Sequence, residues 1–373
     1  MASRVKTIAV MTGGGDCPGL NAVIRAVTKT AITRYSMKVW GIEDGYLGLI
    51  EKRLRPLSFE DVSHILTLGG TILGTNNIVD PFKFAVRSGT AEPANSPQGK
   101  VRFKDVSDSC IQTLAEKQID ALVCIGGDGT MNSAAAFAKK GLTVVGVPKT
   151  IDNDLWGTDI TFGFNTAVTT ATEAIDKLRT TASSHHRVMV VEVMGRYAGW
   201  IALHSGVASG GDCILIPEIP YRIEKVCRFV QQRNSRGKSY SIVVVAEGAK
   251  ESGGKMVVSK NVVFSPYPVR LGGIAYKLAD QIERLTKLES RAVTLGHIQR
   301  GGTPTPYDRT LATSFGFAAM ELLVSGAKDR LVVLKDGKLS SVPLSQVAGK
   351  IKTVPKNHPL IKAARAVNTC FGD

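Results

Sequence analysis

No stretch of this 373-residue chain approaches twenty consecutive apolar residues, so nothing in it reads as a membrane-spanning helix. Basic residues do precede an apolar run at the start, but that run stops at Gly13, too soon for a secretory leader. Six cysteines, at 17, 110, 124, 213, 227 and 370, form no C-x-x-C pair. Cys124 lies inside an apolar strand, and the set reads as free, buried thiols in a reducing cytosol, without disulfides or zinc. There is no block of five basic residues and no recognisable nucleic-acid motif. Lys and Arg nonetheless outnumber Asp and Glu by 47 to 32, a formal charge of +15. That excess reads as a solvated basic surface or as attraction to small anions, with nucleic acid disfavoured. Internal repeats and low-complexity tracts are also missing. The expectation is a cytoplasmic protein that engages neither membrane nor nucleic acid.

What the chain has in quantity is glycine, 38 residues, within an apolar content of 43%. Its length suffices for two domains of ordinary size. Thr7–Thr12 reads as a buried strand running into Gly13-Gly14-Gly15-Asp16-Cys17-Pro18-Gly19, after which Val23, Ile24, Val27 and Ala31 form a helical stripe. Such a turn brings backbone N–H groups and a helix N-terminus to an anion, although it is equally a plain glycine turn. Pro18 stands where a dinucleotide fingerprint needs its third glycine, and Gln232 where a Walker loop ending at Gly237-Lys238-Ser239 needs its first. A second glycine-rich loop spans Gly69–Asn77. Residues 80–105 read as a surface insertion, and Ala121–Ile125 as a strand feeding Gly126-Gly127-Asp128-Gly129-Thr130.

Met131–Lys140 is helix-prone and Thr143–Val147 a buried strand, which opens into Pro148-Lys149-Thr150-Ile151-Asp152-Asn153-Asp154. Two polar loops thus meet beyond the carboxyl ends of neighbouring parallel strands, where open α/β sheets bind ligands. Three carboxylates, a lysine and little bulk suit phosphate, a divalent metal and proton transfer. Read alone, Asp152 is a helix cap or an Asx-turn residue and Asp128 a turn residue. The strand–loop pattern returns at Val188–Val193 before Met194-Gly195-Arg196, at Ser241–Ala246 before Glu247-Gly248, and at Arg291–Leu295 before Gly296–Gly302. His185-His186 read as capping or surface residues. Repeated strand–helix alternation predicts an α/β fold of two doubly wound lobes with a cleft between them. The larger lobe is expected over 1–165 plus about 298–340. The smaller is expected over 166–297 plus a C-terminal tail at about 341–373.

From Gly13 to about Arg309 the chain resembles the 6-phosphofructokinases. Five motifs match in order: Gly14–Asn21, Gly126–Thr130, Pro148–Asp154, Met194–Arg196 and Gly296–Gly302. The second also occurs in NAD and lipid kinases; the combination is specific to the family. The resemblance implies Mg²⁺-dependent phosphoryl transfer to the 1-hydroxyl of fructose 6-phosphate. It makes Asp152 the general base, Asp128 the metal residue, and Lys149, Arg196 and Asp154 further catalytic residues. It assigns Gly15, Asn77, Gly126, Gly127, Asp128, Gly129 and Thr130 to the donor. Thr150, Ile151, Asp152, Met194, Gly195, Arg196, Glu247, His297 and Arg300 are assigned to the sugar phosphate. Arg187 and Arg291 would reach it from a neighbouring subunit, implying a tetramer or a dimer.

Gly129 favours ATP, because pyrophosphate-using members carry Asp there; Lys149 is the pyrophosphate-type residue, so pyrophosphate stays the alternative donor. Arg25, Lys29, Arg179, Arg236 and Lys238 match an effector site of allosteric members, with Tyr240 in place of a His, or are solvated basic residues. More distant alternatives are an NAD or lipid kinase of related fold and an inactive basic nucleotide- or nucleic-acid-binding protein.

Overall fold

The run Thr7–Thr12 is strand β1, buried along its whole length, and it anchors the larger of two parallel sheets. The computed structural model describes residues 5–87, 101–262 and 268–373. After β1 come α1 (Leu20–Tyr35), β2 (Lys38–Ile42), α2 (Tyr46–Ile50) and β3 (Leu54–Pro56). A two-stranded antiparallel ladder, β4 (Phe84–Arg87) with β5 (Val101–Lys104), stands where the 80–105 insertion is expected, and residues 88–100 of it lie outside the described residues. The chain re-enters the sheet through α3 (Ser107–Glu116), β6 (Ala121–Gly126), α4 (Asp128–Lys139) and β7 (Thr143–Pro148). Near-continuous apolar sequence makes β6 and β7 inner strands covered on both faces.

Helix α5 (Phe164–His185) carries the chain to the second sheet. There follow β8 (Val188–Val193), α6 (Trp200–Ala208), β9 (Cys213–Leu215), α7 (Ile223–Ser235) and β10 (Ser241–Ala246). A small ladder of β11 (Val258–Asn261) and β12 (Val269–Leu271) precedes α8 (Ile274–Thr286) and β13 (Ser290–Thr294). Helix α9 (Pro306–Val324) returns to lie against α1, and β14 (Arg330–Lys335) and β15 (Lys338–Pro343) complete the first sheet. Short helices α10 (Leu344–Val347) and α11 (Pro359–Ala366) end the chain.

The strand order is β15-β14-β7-β6-β1-β2-β3 in the first sheet and β13-β8-β10-β9 in the second. All neighbours are parallel except the edge pairs β2–β3 and β14–β15. In the first sheet the order reverses between β1 and β6, and in the second between β8 and β13. A doubly wound sheet opens a crevice at its reversal, because the chain leaves the two strands in opposite directions. The motif loops Gly13–Gly19, Gly126–Thr130, Met194–Arg196 and Gly296–Arg300 follow these four strands. Each lobe therefore contributes its crevice to one cleft.

The apolar stripe of α5 (Ala167, Ala171, Ile175) is buried in a core that runs without a break between the lobes, from Ile8, Val123 and Phe315 to Val191, Ile201 and Val244. Truncating such a residue as Ile175 to Ala costs about 2–5 kcal/mol. The larger lobe extends further than its expected end near 340. Strand β15 pairs with β14 to Pro343, and α10 packs on α4, because Leu344 and Val347 complete the apolar cluster under that helix. Beyond Val347 the tail touches both lobes: Ile351 bridges to Leu155, and Cys370 to Cys213 of β9. All six cysteines are free thiols. Among the described residues no helix is long and apolar enough to cross a membrane.

Candidate active site

The cleft edge of the larger lobe is built by close backbone approach. Gly13 N–H donates to Ile125 O at 2.9 Å, so the loop after β1 lies directly on the end of β6. Thr130 fills the space above both loops. A Cβ on Gly13 would stand 2.7 Å from its Oγ1, and one on Gly126 would collide with its side chain. Glycine is required at both positions by that packing. The loop Gly69–Asn77 braces the same place, with Gly14 N–H on Asn76 O at 3.1 Å and Thr75 Oγ1 donating to Gly14 O at 2.7 Å.

Sequence periodicity starts the following helix at Met131, but α4 begins at Asp128. Gly127 is extended and serves as its N-cap, so Asp128, Gly129 and Thr130 form its first turn rather than a loop. The early N–H groups of a helix have no partner within it, and the macrodipole adds positive potential. Beside the glycines this is an anion seat.

The next loop is fastened alongside by Lys149 N–H on Gly126 O at 3.0 Å. Lys149 is 3% exposed, its Nζ donates to Gly15 O, and burial lowers its ammonium to about 8. Asp152 is also buried, and its Oδ1 accepts no hydrogen bond. It caps no helix; its own N–H bonds Thr150 Oγ1 at 3.0 Å. Burial raises the Asp152 carboxyl above its usual range against the opposing pull of Arg300 and Arg196, while Asp128 adds to the rise. Burial, reinforced by the charges of Asp152 and Asp128, pushes Asp154 to about 8. Among the described residues no group of His, Cys, Asp and Glu forms a metal cage by itself. Mg²⁺ needs no such cage, because it keeps several waters and takes one or two carboxylates with phosphate oxygens, and Asp128 in the first turn of α4 is placed to be such a carboxylate.

From the smaller lobe, Arg196 reaches across the cleft, its Nη1 at 3.2 and 3.1 Å from the two oxygens of Asp128. Its backbone is left-handed, with φ 53°, and its N–H donates to Glu247 Oε1 at 2.8 Å. Preceding Gly195 has φ 147°, and a Cβ there would sit 2.5 Å from Ala198 O. Burial, then the nearby Asp152, lifts the Glu247 carboxyl to about 7. Met194 N–H lies 3.3 Å from Oε1 of fully buried Gln299, which ties the loop after β8 to the one after β13. Arg300 crosses to the first lobe and donates to Asp16 O at 3.1 Å, against Gly15.

Not every expected residue joins this cluster. Ile151 is fully buried in the core, so its side chain serves packing. Asn77 and His297 are exposed at the rim. Arg187 precedes β8 and Arg291 is the second residue of β13, at the opposite edge of the sheet from the cleft, where both lie against Glu289. The five basic residues of the possible effector group divide between two places. Arg25 and Lys29 sit on α1, with Lys29 Nζ 3.6 Å over the Phe59 ring. Arg179 donates to Gly210 O at 3.1 Å, and Arg236 and Lys238 are exposed after α7. Sequence reasoning missed Lys352, which no motif marks; its Nζ donates to Asn153 Oδ1 at 3.0 Å, inside the Asp152–Asp154 turn.

The sequence profile of the family described as Phosphofructokinase matches residues 7–323, which takes in every one of these loops. The chain belongs to the phosphofructokinase family. It is 51% identical to an ATP-dependent 6-phosphofructokinase 2 of Clostridium perfringens, over 100% of both chains. It is also 48% identical to a pyrophosphate–fructose 6-phosphate 1-phosphotransferase of Amycolatopsis methanolica, over 93% of this chain and 96% of that one. Among solved structures, a phosphofructokinase of Pichia pastoris in the T-state superimposes with a TM-score of 0.76 at 32% identity. That alignment covers 92% of this chain, which spans only 35% of the longer yeast chain.

Proposed function

We propose that this phosphofructokinase transfers the γ-phosphoryl group of ATP to the 1-hydroxyl of fructose 6-phosphate. The observation that carries the reading is the buried Asp152 Oδ1, without a hydrogen-bond donor, where the crevices of the two sheets face each other. As the sugar oxygen forms its bond to phosphorus, the bond to the ADP oxygen breaks and the hydroxyl proton passes to Asp152. A base must lie within about 3 Å of that proton, and a turn that fixes the carboxylate supplies the position. Arg300 and Arg196 favour its ionised form.

Phosphoryl transfer needs positioning and neutralisation of charge more than covalent help. The first turn of α4, Gly15, Gly126 and Gly127 receive the donor phosphates. Lys149 and Arg196 bring positive charge to the transferred group. Asp128 would hold Mg²⁺ through water, exchanging part of its pairing with Arg196. When bound, that ion neutralises phosphate oxygens. Thr150, Met194, Gly195 and Glu247 line the sugar, and Asp154 shapes the pocket beneath Asp152. Arg187 and Arg291 serve the 6-phosphate of a neighbouring copy, which makes the working enzyme a homo-oligomer. Bidentate guanidinium pairing suits that phosphate.

Gly129, the second residue of α4, favours ATP because it adds no side chain or charge to the seat. Pyrophosphate is the second reading, favoured by Lys149 and by the name of the Amycolatopsis relative. Formation of fructose 1,6-bisphosphate, measured with ATP and with pyrophosphate in parallel and Mg²⁺ in both, decides between them. Turnover with ATP is expected, and Gly129→Asp should depress it. Turnover with pyrophosphate alone reverses the donor, and product from neither removes the function.

A further inference from the structure

The residue beneath the catalytic turn comes from a part of the chain beyond the 7–323 match. Lys352 Nζ donates to Asn153 Oδ1 at 3.0 Å, Thr158 O at 2.9 Å and Asp159 O at 2.9 Å, so all three ammonium protons are used. Its backbone N–H donates to Asp154 O at 2.7 Å, and its carbonyl accepts from Trp200 Nε1 of α6 at 3.0 Å. One residue thereby fastens the Asp152–Asp154 turn and the segment after it, at Thr158 and Asp159, to the other lobe. Thr161 N–H shares the Asn153 Oδ1 acceptor at 3.1 Å within the same lobe, and Lys352 adds the tie that reaches the other one. Asn153 sits at φ 52°, a conformation that costs a non-glycine residue, and Asp152 Oδ1 has no hydrogen bond of its own to set its direction.

We propose that Lys352 is a positioning residue for phosphoryl transfer: through Asn153 it fixes the turn that aims Asp152, and through Trp200 it registers that turn against the sugar-binding lobe. The inference rests on Asp152 acting as general base. Lys352 touches no reacting atom, so its loss changes the aim of the base and leaves the phosphate seat and the sugar contacts in place. A displacement of about 1 Å at such a group costs up to about a hundredfold in rate.

The test is steady-state kinetics of the full chain with ATP, fructose 6-phosphate and Mg²⁺. Lys352→Met is expected to lower kcat at least about tenfold while KM for either substrate stays within about twofold. On an Asn153→Gly background, which tolerates the same φ but lacks the acceptor, the same substitution should cost about threefold or less. Unchanged kcat in a folded Lys352→Met protein overturns the inference, as does a rise in KM at constant kcat or an additive cycle. If Lys352→Met does not fold, Trp200→Phe decides: it removes the indole donor together with part of the ring that lies over Lys352 Nζ, and should lower kcat about threefold with KM unmoved. Wild-type kcat in Trp200→Phe then overturns it. A wild type inactive with either donor would instead sink the phosphofructokinase reading, so the two failures are told apart by that control.

Discussion

The two edges of the smaller sheet carry arginines of similar chemistry in opposite conditions. At the carboxyl edge Arg196 has a left-handed backbone held by Glu247, and its guanidinium spans the cleft to Asp128. At the amino edge Arg187 and Arg291 share one carboxylate, Glu289, with side chains 27% and 50% exposed. Ion pairs of that exposure contribute little to stability and exchange readily for a phosphate. Strand β8 has six residues, which puts the edges roughly 20 Å apart at about 3.3 Å per residue. One sugar phosphate cannot span that distance. Arginines fixed by their own backbone belong to this chain's cleft, while those on an exchangeable carboxylate are the pair that the proposed function gives to a ligand brought by another copy.

Breaking the cleft side has the largest expected effect. Asp152→Ala should lower kcat at least about a hundredfold with a melting temperature no lower than wild type, since it removes a base and relieves a buried carboxylate. Normal turnover would remove the assigned mechanism. On the other edge, Arg187→Ala and Arg291→Ala should each raise KM for fructose 6-phosphate about tenfold and leave KM for the donor near wild type. Unchanged sugar affinity in both would disconnect that edge from the substrate. The comparison sharpens when the two kinds of variant are unfolded together, mixed and refolded. A hybrid of Asp152→Ala and Arg291→Ala subunits contains sites with both groups intact, about a quarter of them in a random mixture, so with fructose 6-phosphate held well below KM activity should rise to about two to three times that of the Arg291→Ala parent. Mixtures no better than the parents would mean that each chain completes its own site.

The sequence made the cleft side more legible than the rest, for physical reasons. Glycines forced by close backbone approach, as at Gly13 and Gly126 under Thr130, occur in runs that stand out against apolar strands. Strand–loop alternation likewise exposed both doubly wound lobes. The start of α4 was hidden because Gly127-Asp128-Gly129 has low helix propensity, and tertiary contacts override it there. The limit of the larger lobe was misplaced because β15, with Lys338, Ser340 and Ser341, reads as polar surface until it pairs with β14. Lys352 was invisible for another reason. A lysine that satisfies three oxygens from distant positions leaves no periodicity or spacing in its own neighbourhood. Loops that bind by backbone advertise themselves; side chains that reach across the fold do not.

The smallest expected effect separates the two regions by sign. Asp154 is held near pH 8 by burial and by neighbouring carboxylates, whereas an unfolded aspartate titrates near about 3.9. Between those values the folded chain binds the extra proton, so this group makes stability fall as pH rises. Glu289 at the amino edge is the reverse: Arg187 holds its carboxyl below the usual range, so its contribution is present at neutral pH and is lost on acidification. In ligand-free protein, Asp154→Asn should therefore flatten the decline in melting temperature from pH 6 to pH 8 and be the more stable protein at pH 8. Glu289→Gln should leave that interval unchanged and make the protein less sensitive to acid below about pH 4.5. Equal slopes in wild type and Asp154→Asn would mean that the carboxylate beside the base keeps its ordinary acidity. The raised proton affinity would then be no part of how the cleft holds three carboxylates together.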